Sequence, residues 1–188
     1  MPVAIPSKLT DMELLAMARD GDDQAFRQLV DRYEAKVAGT VKGMLGDRME
    51  AEDVGQEVFI RFYRSIGQFK GEAKLGTYLT RIAINLSINA LKKEKLARWV
   101  SLFQKESREA YQLQDSGLSQ DQRDTQQFFY QALSKIDERY RSVLVLRFID
   151  GYSTQETADI LKIPTGTVLS RLARAQKKLK ETIGRWET

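Results

Sequence analysis

The chain has 188 residues, of which 42% are hydrophobic and 30% are charged, and its formal net charge at pH 7 is +4. It contains neither cysteine nor histidine, which excludes disulfides and thiolate metal sites and removes the commonest general base. We therefore expect no catalytic residue, no metal site and no cofactor. Because no apolar run approaches the roughly 20 residues of a membrane span and the N-terminus lacks the apolar core of a signal peptide, we also expect a cytoplasmic protein.

Helical signals follow one another from the N-terminus, and no stretch shows the alternation typical of a β-strand. Thr10 and Glu13 have the spacing of a capping box at the start of a short helix, which Gly21 is suited to end. Apolar residues then recur at helical spacing from Asp22 to about Leu45, and again from about Glu50 to Ile66. The first third of the chain is thus predicted to be three helices.

A further helix is predicted from about Tyr78 to Lys93, after a loop at 67–77 that contains three glycines. Beside its core face, this helix has a second apolar stripe at Ile84, Ile88 and Leu91, which needs a partner. That partner is either another helix of the same domain or another protein. The helix also carries a polar stripe, which is either solvated surface or a surface whose amides pair with base edges and whose cations pair with phosphates: Arg81, Asn85, Asn89 and Lys92.

Composition changes between Phe103 and Gln127, where seven glutamines and eight charged residues leave little apolar periodicity. Such a segment buries little of itself and is interpreted as a linker. Helical patterning returns at Phe128. The domain boundaries that we expect are 1–95, 96–127 for the linker, and 128–188.

The segment from Ser153 to Leu179 has the pattern of a helix-turn-helix. Ser153 and Glu156 have the spacing of a second capping box, and Ala158 provides a small residue where two helices cross. Lys162 occupies the turn position at which glycine is common, and we expect a positive φ there. We therefore predict an all-α fold of two small helical domains joined by a polar linker, the second domain being a helix-turn-helix.

The last helix of this motif has one apolar stripe and one polar stripe. Between Lys162 and Arg185 there are seven lysines and arginines and a single acid, Glu181. A basic tail of this kind favours contact with nucleic acid, although a solubilising tail would have a similar composition. In a helix-turn-helix the second helix enters the major groove. The candidate DNA-contacting residues on its polar stripe are Thr167, Ser170, Arg171, Arg174 and Lys178.

Two segments resemble the conserved domains of the extracytoplasmic-function sigma factors of the sigma-70 family. They are "AEDVGQEVFIRFYRSIGQFKGEAKLGTYLTRIAINLSINALKK" at 51–93 and "ERYRSVLVLRFIDGYSTQETADILKIPTGTVLSRLARAQKKL" at 138–179, in the family's order and spacing. The resemblance implies a bacterial promoter-specificity subunit that binds core RNA polymerase and directs promoter recognition and melting. It also implies that the polymerase supplies the catalysis.

The same resemblance implies the roles of individual residues. The helix that contains "AEDVGQEVF" would dock on the clamp helices of the polymerase β′ subunit through Asp53, Gln56, Glu57 and Phe59. The loop 67–77 and the following helix would hold the melted minus-10 element, with a flipped base beside Asn85. Arg81, Asn89 and Lys92 would also contact the minus-10 element. The second domain would contact the minus-35 element through its polar stripe.

Members of this family are commonly held inactive by an anti-sigma factor between the two domains, and the stripe Ile84, Ile88 and Leu91 is a candidate contact for such a partner. The linker resembles either a segment that mimics nascent RNA or a passive tether. The alternative function is a free-standing helix-turn-helix regulator, which would share the second domain but would lack the motif "AEDVGQEVF".

Overall fold

The computed structural model describes residues 9–71, 73–104 and 120–184. Over these ranges the chain forms eight α-helices and no β-strand, which confirms the all-α prediction. A 3₁₀ turn at Ile66–Gln68 follows the third helix, and a π-helical turn at Val145–Ile149 follows the sixth. The helices are α1 (Asp11–Arg19), α2 (Asp23–Leu45), α3 (Met49–Ser65), α4 (Leu75–Gln104), α5 (Gln120–Ser134), α6 (Glu138–Leu144), α7 (Thr154–Leu161) and α8 (Thr165–Gly184).

Side chains at the helix starts satisfy backbone amides that have no partner within the helix. Thr10 accepts a hydrogen bond from the Glu13 amide, and the Glu13 carboxylate accepts one from the Thr10 amide. Ser153 and Glu156 make the same reciprocal pair at the start of α7. Both predicted capping boxes are therefore confirmed.

Helix α4 is longer than the sequence pattern suggested. It begins at Leu75 and continues to Gln104, whereas the prediction placed it from Tyr78 to Lys93. No glycine or proline interrupts the chain between 77 and 104, so nothing breaks the helix where its apolar pattern weakens. Since α5 begins at Gln120, the segment interpreted as a linker is helical at both of its ends. Its middle, 105–119, lies outside the described residues.

The main hydrophobic core is shared by the two halves of the chain. Helices α1 to α4 supply most of its buried side chains, and the second half adds Val145, Leu146, Tyr152 and Ile160. The second half also has smaller apolar clusters of its own, one of which contains Leu133, Leu144 and Ala175. The halves are thus packed against each other as well as folded individually.

The second apolar stripe of α4 is largely buried in the main core. Ile84 is 1% exposed and Leu91 is 5% exposed, while Ile88 is partly buried against the same core. The expected exposure is therefore wrong for Ile84 and Leu91, whereas Ile88 is only partly buried and a contact of this residue with another protein stays a prediction. The cluster that contains Ile84 and Leu91 also contains Val145 and Ile160, which no local periodicity relates to α4.

The helix-turn-helix is formed by α7 and α8. Lys162 ends α7 in the left-handed conformation with φ 54°, and it is the only non-glycine residue with a positive φ in the described part of the chain. The expected positive φ at this turn is confirmed. No helix within the described ranges is both long and apolar enough to cross a membrane.

Candidate polymerase and DNA interfaces

Helix α8 presents the two faces that its sequence predicts. Val168 and Ala175 are buried, and Leu172 and Leu179 are partly buried against neighbouring helices. The polar stripe faces outward: Ser170, Arg174 and Lys178 are exposed, whereas Thr167 and Arg171 are half-buried.

Tyr140 of α6 lies among the cations of this surface. Its hydroxyl accepts a hydrogen bond from Arg174, and this contact is the main reason why the pKa of Tyr140 is lowered. The Lys178 ammonium lies 5.2 Å from the centre of the Tyr140 ring and 3.4 Å from Asp137 Oδ2. Tyr140 and Asp137 therefore hold two cations in place, a role that the helical periodicity of α6 did not indicate.

The polar stripe of α4 is only partly free. Asn85, Asn89 and Lys92 are exposed. Arg81 instead reaches the second half of the chain, where its Nη2 donates to the Asp159 carbonyl oxygen at 3.0 Å. Its Nε is buried and has no hydrogen-bond partner among the described residues.

The loop before α4 is anchored at its N-terminal end. Phe69 is 6% exposed, and its ring lies 4.9 Å from that of Tyr78. Arg19 of α1 donates to the carbonyl oxygens of Ile66 and Phe69. The Tyr78 hydroxyl is 3.1 Å from Ser65 Oγ. These contacts fix the position of the loop relative to the start of α4.

The outer face of α3 combines acids with exposed apolar side chains. Asp53 and Gln56 are exposed, and Glu57 is half-buried and accepts a hydrogen bond from Arg61 Nε at 2.8 Å. Phe59, in contrast, is partly buried and packs against the core.

Two apolar residues of α3 were not identified from the sequence. Ile60 is 43% exposed and Tyr63 is 49% exposed. The signal that could have found them is their spacing of four and seven residues from Gln56, which places them on the polar face.

Comparison with known proteins supports the interpretation of both halves. Residues 29–97 match the family described as Sigma-70 region 2, and residues 129–179 match Sigma-70, region 4. The ECF RNA polymerase sigma factor SigW of Bacillus subtilis (strain 168) is 33% identical over 179 residues, which cover 90% of this chain and 94% of that protein. The ECF RNA polymerase sigma-E factor of Escherichia coli (strain K12) is 31% identical over 185 residues, which cover 94% and 95% of the two chains.

Solved structures share the fold. CnrH in complex with the cytosolic domain of CnrY has a TM-score of 0.66 at 24% identity, covering 93% of this chain and 97% of that one. The sigma factor RpoE in complex with the anti-sigma factor NepR from Bartonella quintana has a TM-score of 0.62 at 21% identity, covering 85% and 96%. Both sigma-70 regions match, and the relatives align with nearly the whole chain. The chain therefore belongs to the extracytoplasmic-function sigma factors, which are initiation factors rather than enzymes and which bind core RNA polymerase and direct promoter recognition.

Proposed function

We propose that the outer face of α3 is the polymerase-docking surface of this sigma factor. The observation that carries the proposal is the exposure of Ile60 and Tyr63 beside Asp53 and Gln56. Exposed apolar side chains ringed by polar groups are typical of protein interfaces, whose centres gain from burying aromatic residues. Glu57 adds charge at the edge of the surface. Phe59 supports this surface indirectly, because its packing against the core holds α3 in position.

The proposed DNA surfaces are the polar stripes of α4 and α8. Arg81, Asn85, Asn89 and Lys92 would contact the minus-10 element. Thr167, Ser170, Arg171, Arg174 and Lys178 would contact the minus-35 element. Amides and guanidinium groups suit base edges, and lysines and helix-terminal groups suit phosphates.

The domain division belongs to the same proposal. The first domain would comprise residues 1–95 and the second 128–188, with 96–127 between them. The helical ends of that middle segment, up to Gln104 and from Gln120, would extend the adjoining domains.

An anti-sigma factor is the regulatory partner that we propose. One solved protein with this fold is a complex of that kind, RpoE with the anti-sigma factor NepR. A second, CnrH, is in complex with the cytosolic domain of another protein, CnrY. The site of action would be the bacterial cytoplasm, where core polymerase and promoter DNA are found.

Run-off transcription with purified core polymerase on genomic fragments tests the function. We expect discrete transcripts that require both the chain and core polymerase, and co-purification of the two. A free-standing regulator would instead bind duplex DNA without polymerase and would give no such transcripts. That result would contradict the proposal.

A further inference from the structure

Helix α8 carries one large apolar side chain on its outward surface. Leu169 is 56% exposed, although the neighbouring Val168 is fully buried. The other leucines and the isoleucine of this helix are partly buried. A single exposed leucine on a protein surface is ordinary and needs no explanation. The position of Leu169 within the helix-turn-helix is what makes it informative.

Leu169 lies in the part of α8 that a helix-turn-helix presents to the bases. The second helix of this motif enters the major groove with its N-terminal residues against base edges. Residues 165–170, "TGTVLS", contain no charged side chain. Ser170 is exposed, but its hydroxyl donates to the Thr167 carbonyl oxygen at 3.1 Å within the helix. Leu169 is thus the longest outward side chain at this end of α8.

The cations of α8 come later along the helix. Residues 171–180 include five lysines and arginines and no acid, and such side chains supply affinity for phosphates. Ala173 is exposed as well, and side chains four residues apart are neighbours on a helix. Leu169 and Ala173 therefore form an apolar patch bordered by cations. This combination suits a polyanion that has an apolar group close to its phosphates.

The major groove of DNA offers one such apolar group. Hydrogen-bond donors and acceptors line the edges of all four base pairs there, and the C5-methyl group of thymine is the exception. Against another base edge, Leu169 would bury donors or acceptors without giving them a partner, which is unfavourable. A leucine at this position therefore favours thymine both by attraction and by exclusion of the alternatives.

We propose that Leu169 is a specificity-determining residue that reads the C5-methyl group of a thymine in the minus-35 element, with Ala173 shielding the contact from water. The inference rests on the proposed function of α8 and adds to it a base and the group that is recognised. Arg171 and Arg174 can detect only hydrogen-bonding edges. The preference set by Leu169 is separate from theirs, because a methyl group makes no hydrogen bond.

The first experiment removes the methyl group from the DNA. A promoter obtained by run-off transcription is prepared as a duplex in which each minus-35 thymine is replaced, one at a time, by 2′-deoxyuridine, which pairs identically but lacks the C5-methyl group. Binding of the holoenzyme, the chain with core polymerase, is then measured. Burial of one methyl-sized group is worth about 0.8 kcal/mol, so we expect about fourfold weaker binding at one position. The other positions should be unaffected.

The second experiment removes the leucine from the protein. Leu169→Ala should bind the thymine and deoxyuridine duplexes equally at the sensitive position. Alanine is the best helix former, and the site is exposed, so α8 should stay folded; unchanged co-purification with core polymerase checks this. The matched control is Leu96→Ala, which removes a leucine that is 61% exposed on α4 and should keep the sensitivity of the wild type.

Leu169→Lys distinguishes a methyl contact from general binding. A lysine at this position can reach a phosphate but gives no apolar contact. We therefore expect the variant to lose its sensitivity to deoxyuridine while the dependence of binding on salt steepens by about one phosphate contact. Retained sensitivity in this variant or in Leu169→Ala would show that another residue reads the methyl group, and would overturn the inference.

The remaining outcomes separate this inference from the proposed function. If the wild-type holoenzyme gives no promoter-specific transcript, the proposed function fails. If it transcribes but no minus-35 position responds to loss of a thymine methyl group, the inference fails and the proposed function stands. If Leu169→Ala instead loses binding to core polymerase and keeps its sensitivity to deoxyuridine, Leu169 contacts a protein rather than a base, which also refutes the inference.

Discussion

Lys162 occupies a backbone conformation that is unfavourable for any residue with a β carbon. Its φ of 54° lies in the left-handed region, and this conformation lets its amide and that of Ile163 both donate to the carbonyl oxygen of Ala158. A left-handed non-glycine residue costs about 1–2 kcal/mol. The turn between α7 and α8 therefore carries strain at a single residue.

We predict that Lys162→Gly raises the free energy of unfolding by about 0.5–1 kcal/mol, because relief of this strain outweighs the greater freedom of glycine in the unfolded chain. Urea denaturation measures the change. Lys162→Ala is the control, since it removes the charge but keeps the β carbon. If alanine stabilises as much as glycine, the backbone explanation is wrong.

Asp150 is a largely buried carboxyl of the second half that contacts Thr40 of α2. The Thr40 hydroxyl oxygen lies 3.0 and 3.1 Å from the two carboxyl oxygens of Asp150, and 3.0 Å from the Lys36 carbonyl oxygen. One hydroxyl proton cannot serve both acceptors. A protonated Asp150 would donate to Thr40, which would then donate to Lys36. Burial raises the pKa of Asp150 to about 6, against the opposing effects of Thr40 and the Lys36 charge.

At the scale of the helix, α3 offers a test of polymerase docking. We predict that Asp53→Ala combined with Gln56→Ala weakens binding to core polymerase, and that Ile60→Ala weakens it further by removing apolar contact area. The fold should be unaffected, because exposed polar residues seldom contribute more than about 0.5 kcal/mol to stability. Co-purification with core polymerase measures the effect.

The control for α3 is a second pair of exposed acids on another helix. Asp31 and Glu34 of α2 are exposed at helical spacing, and their double alanine variant should bind core polymerase as the wild type does. Equal binding by the α3 variants and this control would remove α3 from the docking surface.

The polar stripe of α8 can be tested for two separate roles, base recognition and phosphate binding. Arg171 and Arg174 can each make bidentate hydrogen bonds to guanine, which are worth about 1–3 kcal/mol of discrimination. We predict that alanine at either arginine relaxes the preference at particular minus-35 base pairs. Lys178→Ala should weaken all sequences alike and lower the salt slope by about one contact. Binding to a library of single-base variants at several salt concentrations distinguishes these outcomes.

Tyr140→Phe refines the test on α8. It removes the hydroxyl that contacts Arg174 and keeps the ring beside Lys178. Relaxed base preference similar to that of Arg174→Ala would show that Tyr140 orients the arginine. A uniform loss of affinity from both arginine variants, with every base preference kept, would mean that these arginines bind only the backbone.

Local signals explain which helices could be predicted from the sequence. Capping boxes, glycines and apolar periodicity lie within a few residues of the features they determine, so the starts of α1 and α7 were predicted correctly. The polar stripes of α4 and α8 follow from the same periodicity. The exposure of Ile60 does not, because an apolar residue on α3 is equally consistent with the core.

At the scale of the whole molecule, the packing of the two halves was not predictable from these signals. Thr40 and Asp150 are 110 residues apart, and no spacing rule connects them. Ile84 likewise belongs to a buried cluster that includes Val145 and Ile160 of the second half. The family resemblance indicated two domains and their ligands, but the way in which the two halves pack depends on contacts between specific side chains.

The packing of the two halves should depend on pH through Asp150; we call the packed arrangement closed and an arrangement with the halves separated open. The pKa of this carboxyl is about 6 in the closed chain, above the ordinary value of 3.8 expected once the halves separate. The closed state therefore binds more protons, and its stability relative to the open state falls as pH rises through 6. The chain has no histidine, and the charged group that acts on Asp150 is Lys36, which opposes the rise in the pKa of this carboxyl. Glu138, whose pKa is lowered chiefly by its hydrogen bond to Lys95, acts only below its ordinary value of 4.5.

We predict that the ratio of closed to open chain rises about tenfold between pH 8 and pH 5. Scattering from the free chain at the two pH values measures the ratio most clearly in Gly43→Leu, which we expect to favour the open arrangement because its side chain would collide with Val145 and Ile149 of the second half. Adding Asp150→Asn, which keeps the shape without the charge, should abolish the pH dependence and favour the closed state at pH 8. Asp31→Asn, on the exposed surface of α2, should leave the pH dependence intact. If the dependence survives Asp150→Asn, another group controls the closing of the chain.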